Sequence, residues 1–164
     1  MNEKWNRWVF DAVVWTIGAL TAGALFVDAA QASEHTERAH APENALYRTE
    51  CGACHVAYPP GLLAGVSWRA VMTGLDKHFG VDASVDPKQA AELERYLEQN
   101  SVADRQPGKG SLRISDSPWF QRHHREVAAA VWKRESVKSP ANCSACHPRA
   151  EQGDFNEHQV HIPK

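Results

Sequence analysis

The chain has 164 residues, of which 43% are hydrophobic and 23% charged, and its formal net charge is −2. This length suggests one domain or two small ones, and a nearly neutral chain lacks the basic footprint that nucleic-acid binding needs. A mean hydropathy of −0.50 excludes a protein that crosses the membrane many times. Nine His and four Cys are the unusual part of the composition.

The first 32 residues have the pattern of a secretory signal peptide. Two basic residues precede an apolar run over residues 12–27, and a small-x-small cleavage sequence ends at Ala32. At about 1.5 Å per residue this run spans about 24 Å, less than the ~30 Å hydrocarbon core of a bilayer. We therefore expect cleavage of residues 1–32 and no stable membrane insertion afterwards. A retained N-terminal anchor is the alternative, and both place the remaining chain outside the cytoplasm.

The remaining chain is predicted to be mainly α, since no part of it has a β pattern. The predicted helices cover residues 43–50, 67–80, 87–100 and 117–134, with a polar linker over residues 101–117. The clearest helix start is Asp86-Pro87, an N-cap residue followed by a proline at the first helical position. Pro118 takes a similar first-turn position in the last helix.

Two short motifs contain every cysteine of the protein. They read CGACH at residues 51–55 and CSACH at residues 143–147. C-x-x-C-H is the signature of c-type haem attachment. Two thiols bond to the vinyl groups of a haem, and the following His binds the iron as an axial ligand. The sequence therefore predicts two covalently bound c-type haems, attached through Cys51, Cys54, Cys143 and Cys146, with His55 and His147 as axial ligands.

Other uses of paired cysteines explain these motifs less well. A four-cysteine zinc ribbon has about 15–20 residues between its pairs, far fewer than separate Cys54 from Cys143. A thioredoxin-like motif needs a βαβ context, which the sequence lacks. Two disulfides suit an extracytoplasmic protein. None of the three accounts for a His directly after both pairs.

The second axial ligand of each iron decides what the haem can do. Met72 is the only methionine besides Met1, so both irons cannot have His and Met ligands. His78 lies on the apolar face of the predicted helix over residues 67–80, which makes it the candidate ligand for one iron. Met72 shares that face and is predicted to pack against the haem or the core.

For the other iron, His124 lies within the apolar stripe of the predicted helix over residues 117–134, whereas His123 lies at its edge. We therefore favour His124, with His123 as the alternative. The intervals from His55 to His78 and from His124 to His147 are equal, at 23 positions each. Crossed ligation between the two halves stays open. The remaining histidines are predicted to be exposed, namely His35, His40, His158 and His161.

Four segments together resemble the bacterial dihaem cytochrome c family. They are LYRTECGACHVAYPPGLL, SWRAVMTGLDKHFGVDAS, RISDSPWFQRHHREVAAAVW and SPANCSACHPRAEQGDF, and the resemblance covers roughly residues 43–163. It implies a small two-domain protein whose N-terminal half resembles a class I cytochrome c. We expect an N-terminal haem domain over residues 33–108 and a C-terminal one over residues 109–164. The resemblance also implies two bis-histidine haems that lie close together.

The resulting expectation is a periplasmic electron-transfer protein rather than an enzyme. The family resemblance implies that it carries electrons between a membrane b-type cytochrome and a small, oxygen-binding monohaem cytochrome c. One alternative is a small haem enzyme or gas-binding protein with one open iron site. Another is a subunit that delivers electrons to a periplasmic reductase. Carbon monoxide binding by the reduced protein would favour the open-iron alternative.

Overall fold

The computed structural model describes residues 41–102 and 110–164, so the predicted signal peptide lies outside the described residues. It confirms the mainly α class, because the described residues form helices and turns without a β-strand. The helices are α1 (Ala45–Cys51), α2 (Gly65–Thr73), α3 (Pro87–Gln99), α4 (Pro118–His123) and α5 (Ala129–Trp132). No helix within residues 41–102 or 110–164 is long and apolar enough to cross a membrane.

Two helix starts were predictable from their capping residues. The side chain of Asp86 accepts a hydrogen bond from the Lys88 amide at 2.8 Å, and Pro87 follows as the first residue of α3. The Ser117 hydroxyl accepts from the Phe120 amide at the start of α4 in the same way. Helix α1 begins slightly later than predicted, because Asn44 is its N-cap.

The prediction of one helix over residues 67–80 is wrong at both ends. Helix α2 begins earlier, after Ala64, and ends at Thr73 because Gly74 forms its C-cap. A 3₁₀ turn follows, and His78 has an extended backbone. Glycine is a poor helix former, so the apolar periodicity that continues beyond Gly74 does not hold the helix together.

The prediction of one helix over residues 117–134 is also wrong. Helix α4 stops at His123, and a separate short helix, α5, begins at Ala129. The break turns the His124 ring onto the ring of Phe120 at a centroid distance of 3.9 Å and towards Trp132 at 5.9 Å. Tertiary packing of aromatic side chains thus overrides a local sequence made of helix-forming residues.

The core consists of two apolar clusters. The first packs α2 against α3 and contains Tyr47, Leu63, Trp68, Leu93 and Leu97. Met72 packs against this cluster, as predicted. The second cluster joins Leu62 to Trp119 and Phe120, so it combines a residue from before the predicted boundary at residue 108 with two from after it.

Candidate haem sites

The first cysteine motif lies where α1 ends. Cys51 is the last residue of the helix, and Gly52 is its C-cap. A Cβ atom on Gly52 would collide with the backbone carbonyl oxygen of Arg48, which accepts a hydrogen bond from the Gly52 amide. A residue without a side chain therefore lets the chain leave the helix and reach Cys54 and His55.

The second motif has a different backbone from the first. Its cysteines lie on and just after a 3₁₀ turn over Cys143–Ala145, and the His147 amide donates to the Cys143 carbonyl at 2.8 Å. The four cysteines form no disulfide, so each is a thiol in the chain before haem attachment. Burial raises the pKa of the Cys51 and Cys143 thiols to about 11, so both are protonated at neutral pH. Thioether formation consumes such an S–H group, because sulfur and hydrogen add across a vinyl double bond.

The structure brings His78 next to His55. Their ring centroids are 6.2 Å apart, and the ring planes differ by 26°. Nδ1 of His55 lies 2.7 Å from the Val56 carbonyl, which can only accept, so Nδ1 carries the proton and Nε2 is available to bind a metal. Burial, followed by the nearby His55 and Arg113, lowers the pKa of His78, which favours its neutral, metal-binding form.

The structure also brings His124 next to His147. These ring centroids are again 6.2 Å apart, but the planes differ by 72°. Nδ1 of His124 donates to the Phe120 carbonyl at 2.9 Å, so the proton of the neutral ring is on Nδ1. Neighbouring His123 instead lies against the ring of Trp119, at 4.8 Å. Beside His124 is a cavity of about 300 Å³, lined in part by Phe120, Val127, Trp132 and Pro140.

Both histidine pairs have the spacing that a shared metal ion requires. An imidazole nitrogen binds a metal at about 2.0 Å and lies about 1.1 Å from its ring centroid, so two imidazoles on opposite sides of one metal have centroids about 6.2 Å apart. Both observed distances are 6.2 Å. Each pair supplies two imidazoles, the number that a six-coordinate haem iron takes from a protein. The residues present therefore fit two haems.

A tight turn after His78 was not predicted. Phe79 and Gly80 both have positive φ, at 48° and 100°, as the central residues of a type I′ turn require, and the Val81 amide donates to the His78 carbonyl at 3.1 Å. The Arg113 guanidinium lies 4.2 Å above the Phe79 ring, which itself meets the His78 ring edge-on. Positive φ in a bulky residue is uncommon, so composition alone did not indicate this turn.

Comparison with known proteins agrees with this geometry. The family model described as dihaem cytochrome c matches residues 47–155. The chain belongs to the dihaem cytochrome c family. It therefore has two covalently bound c-type haems and a role in haem electron transfer, the role that proteins of this family generally have.

Solved structures of other dihaem cytochromes c are similar to this chain. A dihaem c-type cytochrome from Shewanella baltica is 41% identical with a TM-score of 0.65, over 74% of this chain and 94% of that one. A dihaem cytochrome c from Rhodobacter sphaeroides is 41% identical with a TM-score of 0.64, over 70% of this chain and 98% of that one. No curated protein sequence matches the chain.

One residue at the site escaped the sequence analysis. The ring of Tyr58 stacks on the His55 ring at 4.8 Å and 20°, and its hydroxyl donates to the Ala141 carbonyl at 2.7 Å. Ala141 is 83 positions from Tyr58 in the sequence. No local pattern in the sequence could have indicated that contact.

Proposed function

We propose that this dihaem cytochrome c is an electron carrier with two bis-histidine haems. In the first haem site, formed by Cys51, Cys54, His55 and His78, the two imidazoles bind one iron. In the second haem site, formed by Cys143, Cys146, His124 and His147, the imidazoles of His124 and His147 bind the other iron. The observation that carries the proposal is the common 6.2 Å spacing within both histidine pairs. It favours pairing within each half over crossed ligation, and His124 over His123.

This ligand set favours electron transfer over chemistry on a bound substrate. A c-type haem supplies one electron through the iron(III)/iron(II) couple. Two imidazoles saturate the iron, which then has no position for oxygen or peroxide unless a histidine leaves. Without a thioether ligand the reduction potentials should be low relative to those of haems with His and Met ligands. The pairing therefore favours the carrier over the alternative with an open iron.

The test of saturation is the visible spectrum of the purified holoprotein, first oxidised, then reduced, then reduced under carbon monoxide. Two saturated haems should give low-spin c-type bands that carbon monoxide does not change. A high-spin component, or a Soret band that shifts under carbon monoxide, would mean an open iron and would overturn the carrier proposal.

The proposed location is the periplasm. Residues 1–32 have the pattern of a signal peptide, and cytochromes c of this kind are typically extracytoplasmic. Mass spectrometry of the periplasmic fraction should find a chain that begins at Ser33 and carries two haems. A holoprotein that retains residues 1–32 and sediments with membranes would contradict cleavage and support a retained anchor.

The proposed partners are a membrane b-type cytochrome as one redox partner and a small, oxygen-binding monohaem cytochrome c as the other. Both follow from the family resemblance. In stopped-flow mixing, the reduced holoprotein should be reoxidised by the oxidised monohaem cytochrome in a second-order reaction. A rate no higher than that with an unrelated cytochrome of equal potential and charge would refute this partner.

A further inference from the structure

Tyr58 joins a ligand of the first haem site to the segment of the chain that carries the second. Its ring is stacked on the imidazole of His55, with a centroid distance of 4.8 Å and planes 20° apart. Offset stacking at this distance is a favourable aromatic arrangement. This contact restricts rotation of the His55 imidazole about the Cβ–Cγ bond.

The hydroxyl of the same residue reaches the other half of the protein. It donates a 2.7 Å hydrogen bond to the carbonyl of Ala141, two residues before Cys143. The ring also packs against the apolar cluster that contains Leu62, Trp119 and Phe120.

The backbone of Tyr58 is anchored in turn to the rigid part of the fold. Its carbonyl accepts a 2.6 Å hydrogen bond from the hydroxyl of Tyr47, which is 5% exposed within the first core cluster. A side chain held in this way has little freedom to follow the motions of either haem site. It is therefore suited to set the position of its two partners.

The two ligand pairs differ in the angle between their planes, 26° in the first site and 72° in the second. In low-spin ferric haem, nearly parallel imidazoles give a rhombic electron paramagnetic resonance (EPR) signal with three resolved g values. Nearly perpendicular imidazoles give one strongly anisotropic low-field feature. The two sites are therefore distinguishable in one spectrum, and the rhombic signal reports the plane of His55.

We propose that Tyr58 is a positioning residue shared by both haem sites. Its ring holds the His55 imidazole nearly parallel to that of His78, and its hydroxyl fixes the segment that leads to Cys143. This inference rests on the proposed bis-histidine ligation. It assigns no ligand and no redox step to Tyr58 itself.

The test compares holoproteins carrying Tyr58→Leu and Tyr58→Phe with the native protein. Tyr58→Leu removes the stacked ring, so the rhombic EPR signal should shift or broaden while the anisotropic signal persists. Tyr58→Phe keeps the ring and removes only the hydroxyl, so the rhombic signal should be unchanged. Amide hydrogen exchange over residues 142–146 should then be about two- to tenfold faster, the range expected for loss of one hydrogen bond.

Tyr96→Phe is the matched control. The Tyr96 hydroxyl also donates to a backbone carbonyl, but to that of Pro42 at 2.9 Å rather than to one beside the second cysteine motif. It should change neither the EPR signals nor the exchange of residues 142–146.

The outcomes separate the two proposals. A native protein without two bis-imidazole low-spin signals overturns the proposed ligation and this inference with it. If the native protein shows both signals, an unchanged rhombic signal in Tyr58→Leu overturns the role of the ring. If the amide exchange rates of residues 142–146 are unchanged in Tyr58→Phe, the role of the hydroxyl is overturned. The same holds if these rates rise equally in Tyr96→Phe.

Discussion

Replacing His124 with alanine should open one iron of the two and leave the other closed. In the structure His124 lies opposite His147 at 6.2 Å, so the substitution removes one of the two imidazoles of the second haem site. His55 and His78 are untouched, and the cysteines still hold both haems covalently. The change therefore acts on coordination in one site without loss of haem.

The expected magnitude follows from the stoichiometry. One open iron out of two haems means that the reduced variant should bind about one carbon monoxide per chain, and about half of the Soret absorbance should shift. The oxidised variant should show a high-spin component of similar proportion, from an iron that keeps only one protein ligand. Titration with carbon monoxide, followed by optical spectroscopy and normalised to haem content, measures both quantities.

His123→Ala is the matched control, because it removes the same side chain from the adjacent position. His123 lies against Trp119 rather than His147, so its variant should bind no carbon monoxide. Carbon monoxide binding by His123→Ala together with a saturated His124→Ala would show that the ligand is His123. Binding to both haems of His124→Ala would refute independent sites.

Three further substitutions test the core, the attachment motif and the potential. Leu93 is 1% exposed, so Leu93→Ala should lower the free energy of unfolding of the protein by about 2–5 kcal/mol, measured by urea unfolding. Leu112 is exposed, so the control Leu112→Ala should lower it by less than about 0.5 kcal/mol. In Gly52→Ala the new Cβ meets a backbone oxygen, so the free energy of unfolding should fall by about 1–3 kcal/mol. Mass spectrometry should also find a smaller fraction of chains with haem attached. Ser144 is exposed at the equivalent position of the second motif, and Ser144→Ala should have neither effect. His78→Met should raise the potential of one haem in a redox titration, since a thioether ligand favours iron(II); an unchanged potential would argue against His78 as a ligand.

The parts of the fold that depend on local chemistry were predictable from the sequence. Asp86 and Ser117 cap the helices that they were expected to begin, because a capping bond joins residues two or three positions apart. The haem attachment motifs were equally clear, since all their chemistry lies within five consecutive residues. Mainly α structure and two haems both followed from these signals.

The parts that depend on tertiary contact were not predictable. Apolar periodicity continued through Gly74 and through His124, yet both predicted helices break there. His78 nevertheless reaches His55, but from an extended segment after a turn rather than from a helix face. Tyr58 gave no signal at all, because its partner Ala141 is distant in sequence. Apolar periodicity indicates which side chains would share one face of a helix, whereas tertiary packing determines where the backbone turns.

Near-infrared magnetic circular dichroism of the oxidised holoprotein distinguishes two histidine ligands on each iron from other pairs of axial ligands. The energy of the porphyrin-to-iron charge-transfer band depends on the pair of axial ligands. Two histidine ligands on each iron should give a band at the bis-histidine position whose intensity corresponds to both haems of the chain. Intensity at the position of His and Met ligation, or a high-spin band from either haem, would contradict it.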